Sequence, residues 1–311
     1  MFLYILKRIA GAVVVLWAVI TITFVLMHAI PGGPFTQEKK LPPAVLANIE
    51  ARYHLQNPLL TQYTDYVKNA AVLDLGPSFK YPGQTVNDII AQSMPVSAQL
   101  GVISLALALA VGIPAGLVAA WKKNSAVDYG LMVWATLGVS VPSFIVAALL
   151  IQLFAFTWPV LPAAMWKGPL YAVMPAIALA IQPMAFIMRL TRSSVIDALS
   201  QEYIRTARSR GVSTRSILVH HALRNALLPV VSYIGPLTAA LLTGSFIVET
   251  LFAIPGLGRY FVTSIYNRDY TVILGITIFY SVLIIALNLI IDLLYPLLDP
   301  RIRMNQERKE V

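Results

Sequence analysis

Long apolar runs, not a short-range alternation of apolar and polar positions, set the pattern of this chain. Six of them stand out, at residues 9–30, 96–121, 131–157, 171–190, 230–250 and 272–294. A helix needs about 20 residues to cross a hydrocarbon core of ~30 Å, and each run is of that order. Backbone groups in lipid must bond within their own segment, so each run is read as a spanning helix rather than a strand. The first run follows Lys7 and Arg8, as the apolar part of a secretory signal follows its basic start. Its 22 residues exceed the roughly 7–15 of a signal, and no small-residue cleavage site precedes Pro31, Gly32 and Gly33. It is expected to remain as an anchor.

Composition agrees with the pattern. Of 311 residues, 58% are hydrophobic and 12% charged, with a mean hydropathy of +0.73. Soluble domains carry about 25% charged residues. Cysteine is absent, which excludes disulfides, thiol catalysis and cysteine metal sites, and four scattered histidines leave little room for a metal cluster. A net charge of +9 would suit nucleic acid in a soluble protein, but in a membrane protein excess Lys and Arg mark cytoplasmic loops. No nucleic acid is expected as a partner. The N-terminal tail, Lys122 and Lys123, residues 189–224 and the C-terminal tail hold 15 basic residues, against 3 in the short loops of the other side. That bias places both termini, and the polar stretch 192–224, in the cytoplasm.

The polar segment 31–95 has its own helical signals. Pro42 and Pro43 precede AVLANIEARYHL, where Val45, Leu46, Ile49 and Tyr53 recur at helical spacing. A second helix is expected from about Pro58 to Ala71, and TVND at 85–88 reads as a capping box opening a third. The segment is either a structured external cap or a surface that meets a partner.

Within the second run, Ala108, Gly112, Gly116 and Ala120 recur every fourth residue, a small-residue face that lets helix backbones approach. Packing is their expected role, and Pro114 is a candidate kink. Two acids lie near the spans, where charge is costly. Glu249 falls near the outer end of the fifth, and Asp292 near the inner end of the sixth, four residues after Asn288. Both can reach an interface, so a structural role is expected. No charge sits at the centre of a span, which weighs against an ion-driven carrier. The chain has no GxxxxGK[ST], HExxH or GxSxG motif, and His220 and His221, adjacent on a helix, point apart. No catalytic residue, metal or cofactor is therefore expected on this chain. Energy for any transport comes from another subunit, or the protein is passive.

The stretch EYIRTARSRGVSTRSILVHHALRNALLPV, residues 202–230, interrupts the apolar pattern. Gly211 divides it. Before the glycine, Tyr203, Ile204 and Ala207 form an apolar strip, while Arg205 and Arg208 share a separate face. After it, Ser213 or Ser216 can cap a helix carrying Ile217, Leu218, His221 and Leu223, and Pro229 opens the next span. The pieces would project from the membrane as a knob whose arginines suit anionic lipid and a docked protein equally.

The stretch resembles the cytoplasmic coupling loop of ABC importer permeases, whose common motif reads EAA, three residues, then glycine. Here the order is Arg205, Thr206, Ala207, three residues, then Gly211. Arginine stands where the family has its leading glutamate, and Gly211 to Pro229 is longer than in the sugar-type members. Both departures resemble the peptide and nickel branch. Further motifs of that branch follow in order: KR at 7–8, PGGPF at 31–35, LDLGPSF at 73–79, MPVSAQLG at 94–101, SVPSF at 140–144, HALRNALLPV at 221–230, ETLFAIPGLG at 249–258, NRDY at 267–270 and LLDPRIR at 297–303. EKKLPPAVLANIEARYHL at 38–55 is similar to the oligopeptide permeases in particular.

The resemblance implies an all-α integral membrane protein with six transmembrane helices in the type I ABC importer permease fold, both termini cytoplasmic. It implies an N-terminal helix with a structured periplasmic segment over 1–95, a permease core over 96–299 with a coupling loop at about 192–228, and a cytoplasmic tail over 300–311. The implied function is import of oligopeptides across a bacterial inner membrane, driven by ATP. The same architecture serves dipeptide, nickel and antimicrobial-peptide cargo. A reading of another class is a stand-alone channel or ion-coupled carrier. Tyr203, Arg205, Thr206, Ala207, Arg208, Arg210 and Gly211 would enter a cleft of an ATPase, Gly211 allowing the turn and Ala207 the close approach. Gly112, Gly116, Pro229, Glu249 and Asp292 are expected to be structural. The implied partners are a homologous second permease in a heterodimer, two cytoplasmic ATP-binding subunits that hold ATP and magnesium, a periplasmic or lipid-anchored solute-binding protein, the peptide and membrane lipid.

Overall fold

A computed structural model describes residues 2–29, 56–213 and 216–298 of the chain. Among these the fold is helical, apart from turns and one isolated bridge between Pro77 and Thr85. The helices are α1 (Phe2–Ala29), α2 (Leu59–Ala71), α3 (Val86–Trp121), α4 (Ala126–Ser140) and α5 (Ser143–Ile151), the last continuing as a π-helical turn, Gln152–Thr157. There follow α6 (Pro169–Leu199), α7 (Glu202–Ser209), a π-helical turn (Ile217–Ala222) leading into α8 (Leu223–Leu242), α9 (Phe246–Leu251), α10 (Leu257–Asn267) and α11 (Tyr270–Leu298). Five helices are long and apolar enough to cross a membrane, and the pair α4–α5 makes a sixth span if counted as one.

That pair departs from the expectation of a continuous third span, because it bends by 100°. The break falls at Val141 and Pro142. Proline has no N–H and crowds the residue before it out of the helical region, and Val141 is accordingly extended (φ −85°, ψ 121°). Gln182 of α6 donates its Nε2 to the Val141 carbonyl at 3.3 Å, supplying a partner where the helix has none. The third external helix and the second span, expected as separate elements, are one helix, α3. Its 36 residues extend about 54 Å at 1.5 Å per residue. Pro229 lies inside α8 rather than opening it. In apolar surroundings a continuous helix satisfies more backbone groups than one proline removes. The helix expected over 42–55 lies outside the described residues.

The chain forms two compact units, one of Met1–Val96 with Pro255–Ala286, the other of Ser97–Ile254 with Leu287–Val311. In the first, the TVND capping box is present: Asp88 N–H donates to Thr85 Oγ1 at 3.1 Å, and Thr85 N–H to Asp88 Oδ2 at 3.0 Å. Val86, Ile89 and Ile90 then pack against Leu257, Val272 and Ile276. A buried carboxylate fixes the adjoining loop. Asp269 receives the Ser78 hydroxyl (2.5 Å) and the N–H groups of Phe79 (3.2 Å), Lys80 (3.2 Å) and Val272 (3.4 Å). It thus caps α11 and holds the LDLGPSF loop together.

In the second unit α6 is the central element, with more than half of its span buried against a third or less in the others. It packs on α4, α5 and α8. Its alanines at 172, 176, 178, 180 and 185 are almost wholly covered. The small face of α3 lies against it. A Cβ built at Gly116 would stand 2.5 Å from the Met188 carbonyl oxygen, and one at Gly112 2.8 Å from that of Met184. Both glycines therefore serve backbone approach. Gly116→Leu is expected to destabilise by at least the roughly 1–3 kcal/mol of an overpacked core, because the obstructing atom is backbone and cannot swing aside. A thermal melt in detergent lowered by several degrees is the expected result, and an unchanged melt would show that the helices separate freely.

Candidate functional site

The polar knob is built from α7 and the turn that follows it. α6 runs to Leu199, well past the expected end of the fourth span, and only Ser200 and Gln201 separate it from α7. One face of α7, Ile204 and Ala207, is buried on Val195 and Ala198 of α6, Ile217, Leu218, Ala222 and Ala226 of the next helical segment, and Ala120 of α3. The other side chains, Tyr203, Arg205, Thr206 and Arg208, with Arg210 just past the helix end, are exposed.

Gly211 ends α7 with φ +77°, a left-handed conformation that costs other L-residues about 1–2 kcal/mol. Val212 N–H reaches back to the Ala207 carbonyl (3.2 Å) and Gly211 N–H to that of Arg208 (3.0 Å), the paired bonds of a Schellman terminus. Nothing crowds a Cβ at Gly211, so its requirement is conformational. Ser213 caps the following piece, accepting from Ser216 N–H at 3.4 Å, with Ile217 N–H on its carbonyl at 3.0 Å.

The structure brings together most, not all, of the residues read from the sequence. Ala207 was expected to face a docking partner. It is 9% exposed and packs inward, since a residue three after Ile204 shares its face. The surface that the knob exposes is the arginine side with Tyr203 and Thr206. Glu249 was expected to reach an interface but is fully buried on α9, accepting the Ser97 hydroxyl at 2.8 Å. Gly244, at φ +83°, turns the chain so closely over the Glu249 carboxylate that a Cβ would collide with it. The Asp292 side chain lies outside the described ones, as does that of His221. Among the described residues no three His, Cys, Asp or Glu side chains gather as a metal site.

Sequence reading missed an ion pair at the same end of the second unit. Arg192 donates Nε and Nη2 to the two carboxylate oxygens of Asp128 at 2.6 and 2.7 Å. Asp128 is 1% exposed and also receives Asn124 N–H at 2.9 Å. The pattern SAVD at 125–128 is itself a capping signature, and Ser125 does cap α4. It marks the helix start and not a partner 64 residues on. The pair clamps the first turn of α4 to α6, two turns before the knob. In the first unit, a separate cavity of about 250 Å³ lies among Phe24, His28, Tyr66 and Tyr270. Burial pushes the Tyr66 phenol well above its ordinary range.

Five or six helical spans, one of them a bent pair, with a basic knob between two of them define a polytopic membrane protein. A family model described as "Binding-protein-dependent transport system inner membrane component" matches residues 112–304, and the model of that family's N-terminal part matches residues 1–101. The chain belongs to this family, and is a multi-pass inner membrane protein with the permease fold of type I ABC importers. It is 48% identical to the dipeptide transport system permease protein DppB of Bacillus subtilis, over 98% of this chain and 99% of that one. To the oligopeptide transport system permease protein OppB of Salmonella typhimurium it is 47% identical, over 96% and 99%. A solved inward-facing structure of the MetNI methionine ABC transporter shares the fold (TM-score 0.58, 16% identity, 68% of this chain and 96% of that one). Membership implies a second permease, ATPase subunits and a binding protein as partners.

Removing one member of a buried ion pair strands the other. Asp128→Ala is expected to destabilise by about 3 kcal/mol, the low end of the range, because a quarter of Arg192 reaches solvent. Asp128→Ala with Arg192→Met should regain most of that loss in a thermal melt. Equal melts for the single and double variants would show that the charges are not coupled.

Proposed function

We propose that this chain is one half of the pore of an ATP-driven importer that carries oligopeptides across a bacterial inner membrane. Its partner in the pore is a homologous permease, two ATP-binding subunits drive it from the cytoplasm, and a periplasmic or lipid-anchored binding protein delivers the peptide. ATP and magnesium belong to the ATPase subunits, and this chain is not an enzyme. Both termini and the knob face the cytoplasm, in keeping with the 15 to 3 bias of basic residues.

The observation that carries the reading is the knob. Its arginine face is free to meet acids of an ATPase cleft, while Ile204 and Ala207 root it in the membrane unit. The link to α6 is two residues long, so displacement of α7 moves α6 with little slack. A stand-alone channel or ion-driven carrier has no use for such a lever.

Dipeptide cargo is the second reading, favoured by the near-equal identities to the dipeptide and oligopeptide relatives. Uptake of labelled di-, tri- and pentapeptides in cells with and without the gene, the partner genes intact, separates the two. Loss of tri- and pentapeptide uptake, restored by the gene, is the expected result, and loss confined to dipeptides would select the second reading. Gly211→Trp is expected to insert normally and still abolish coupled uptake, leaving ATP hydrolysis unlinked to transport. Uptake at the unsubstituted rate would sink the docking role.

A further inference from the structure

Beyond its first turns α6 is covered on most sides, and one stripe of it is open. Gln182 is half-buried, Phe186 is 42% exposed, and Arg189 is open, at i, i+4 and i+7 along one face. The stripe differs from a lipid-facing surface, such as the Val13, Val14, Trp17 and Ile22 face of α1, in carrying an amide and a cation.

Two polar groups of this stripe are short of partners. The Gln182 Nε2 serves the Val141 carbonyl, and its Oε1 accepts from no described residue. Tyr233 of α8 lays its ring against Phe186, centroids 4.4 Å apart, and no described residue bonds its hydroxyl. Gln182 lies seven residues from Arg189 and ten from the Arg192 pair, about 10–15 Å along the helix, which is near the middle of a ~30 Å core. Unsatisfied groups at that depth are costly against hydrocarbon. The bent α4–α5 break, with exposed Ser140 beside it, is tolerated at such depth only where it is buried in protein or borders a wet passage.

Peptides of different sequence share their main-chain amides and their terminal carboxylate. An amide oxygen accepts a main-chain N–H, a phenol donates to a main-chain carbonyl, and an arginine at the knob-proximal end meets a carboxylate. The Phe186–Tyr233 pair offers apolar side chains a flat, undemanding surface. We propose that Gln182, Phe186 and Arg189 of α6, with Tyr233 of α8, form a wall of the translocation path that binds the main chain of the passing peptide. This rests on the peptide-import reading above.

The test uses the whole transporter, both permeases, the ATPases and the binding protein, in proteoliposomes turning over ATP. Phe186 is replaced by the photoreactive benzoylphenylalanine, and Trp17 likewise as a lipid-facing control. A labelled pentapeptide is expected to form an adduct at position 186 at least ten-fold above that at position 17. Tyr233→Phe, which removes only a hydroxyl, should cut the yield about five-fold below saturation, as loss of one hydrogen bond of ordinary strength does. Adducts at 186 with only lipid or the second permease, while the same peptide is imported, would overturn the wall. An adduct yield unmoved by Tyr233→Phe would overturn the hydrogen-bonding role. If the unsubstituted transporter fails to import the pentapeptide, the oligopeptide reading itself is wrong, and the wall, which rests on it, falls with it.

Discussion

Close backbone approach between α3 and α6 is the constraint on which the second unit depends. Inside a membrane no hydrophobic force pulls helices together, so association relies on packing and on internal hydrogen bonds. Here Gly112 and Gly116 let α3 settle on the carbonyls of Met184 and Met188, and the alanine-rich surface of α6 allows the other helices equally near. That tightness makes α6 a rigid member with one narrow uncovered side. It also explains why two internal prolines, Pro175 and Pro183, are accommodated, since neighbours enclose both.

The polar elements are distributed around this member with distinct duties. Asp128 and Arg192 clamp its basic end to α4, Gln182 bridges the bent span at mid-length, and Ile204 and Ala207 seat the knob on its last turns. Glu249, buried against Ser97 and covered by Gly244, fixes the turn between α8 and α9. The Asp128–Arg192 pair, Gln182 and Glu249 each satisfy polar groups that the apolar packing leaves unmet, and with the seated knob they define one arrangement of helices rather than many.

The number of spans, the capping box at Thr85 and the glycine corner were legible because each is a local pattern with a local cause. The bend at Val141 was legible in principle from the proline after it. A long apolar run outweighed that signal, and proline within a span is common. The shared inward face of Ile204 and Ala207 was legible from their spacing, whereas Tyr203, read into the same apolar strip, stands exposed. The ion pair of Asp128 with Arg192 and the carboxylate network of Asp269 were not legible, because their partners lie 64 and about 190 residues away. Spacing rules reach one helical turn, and such distances are decided by the fold.

The bond from Gln182 to the Val141 carbonyl also bears on how the chain enters the bilayer. Its donor stands 41 residues downstream of its acceptor, so the break in the third span is complete before its partner has been synthesised. Until α6 arrives, that carbonyl must be held by water or by the insertion machinery. The α4–α5 break therefore completes its hydrogen bonding only once α6 is in place.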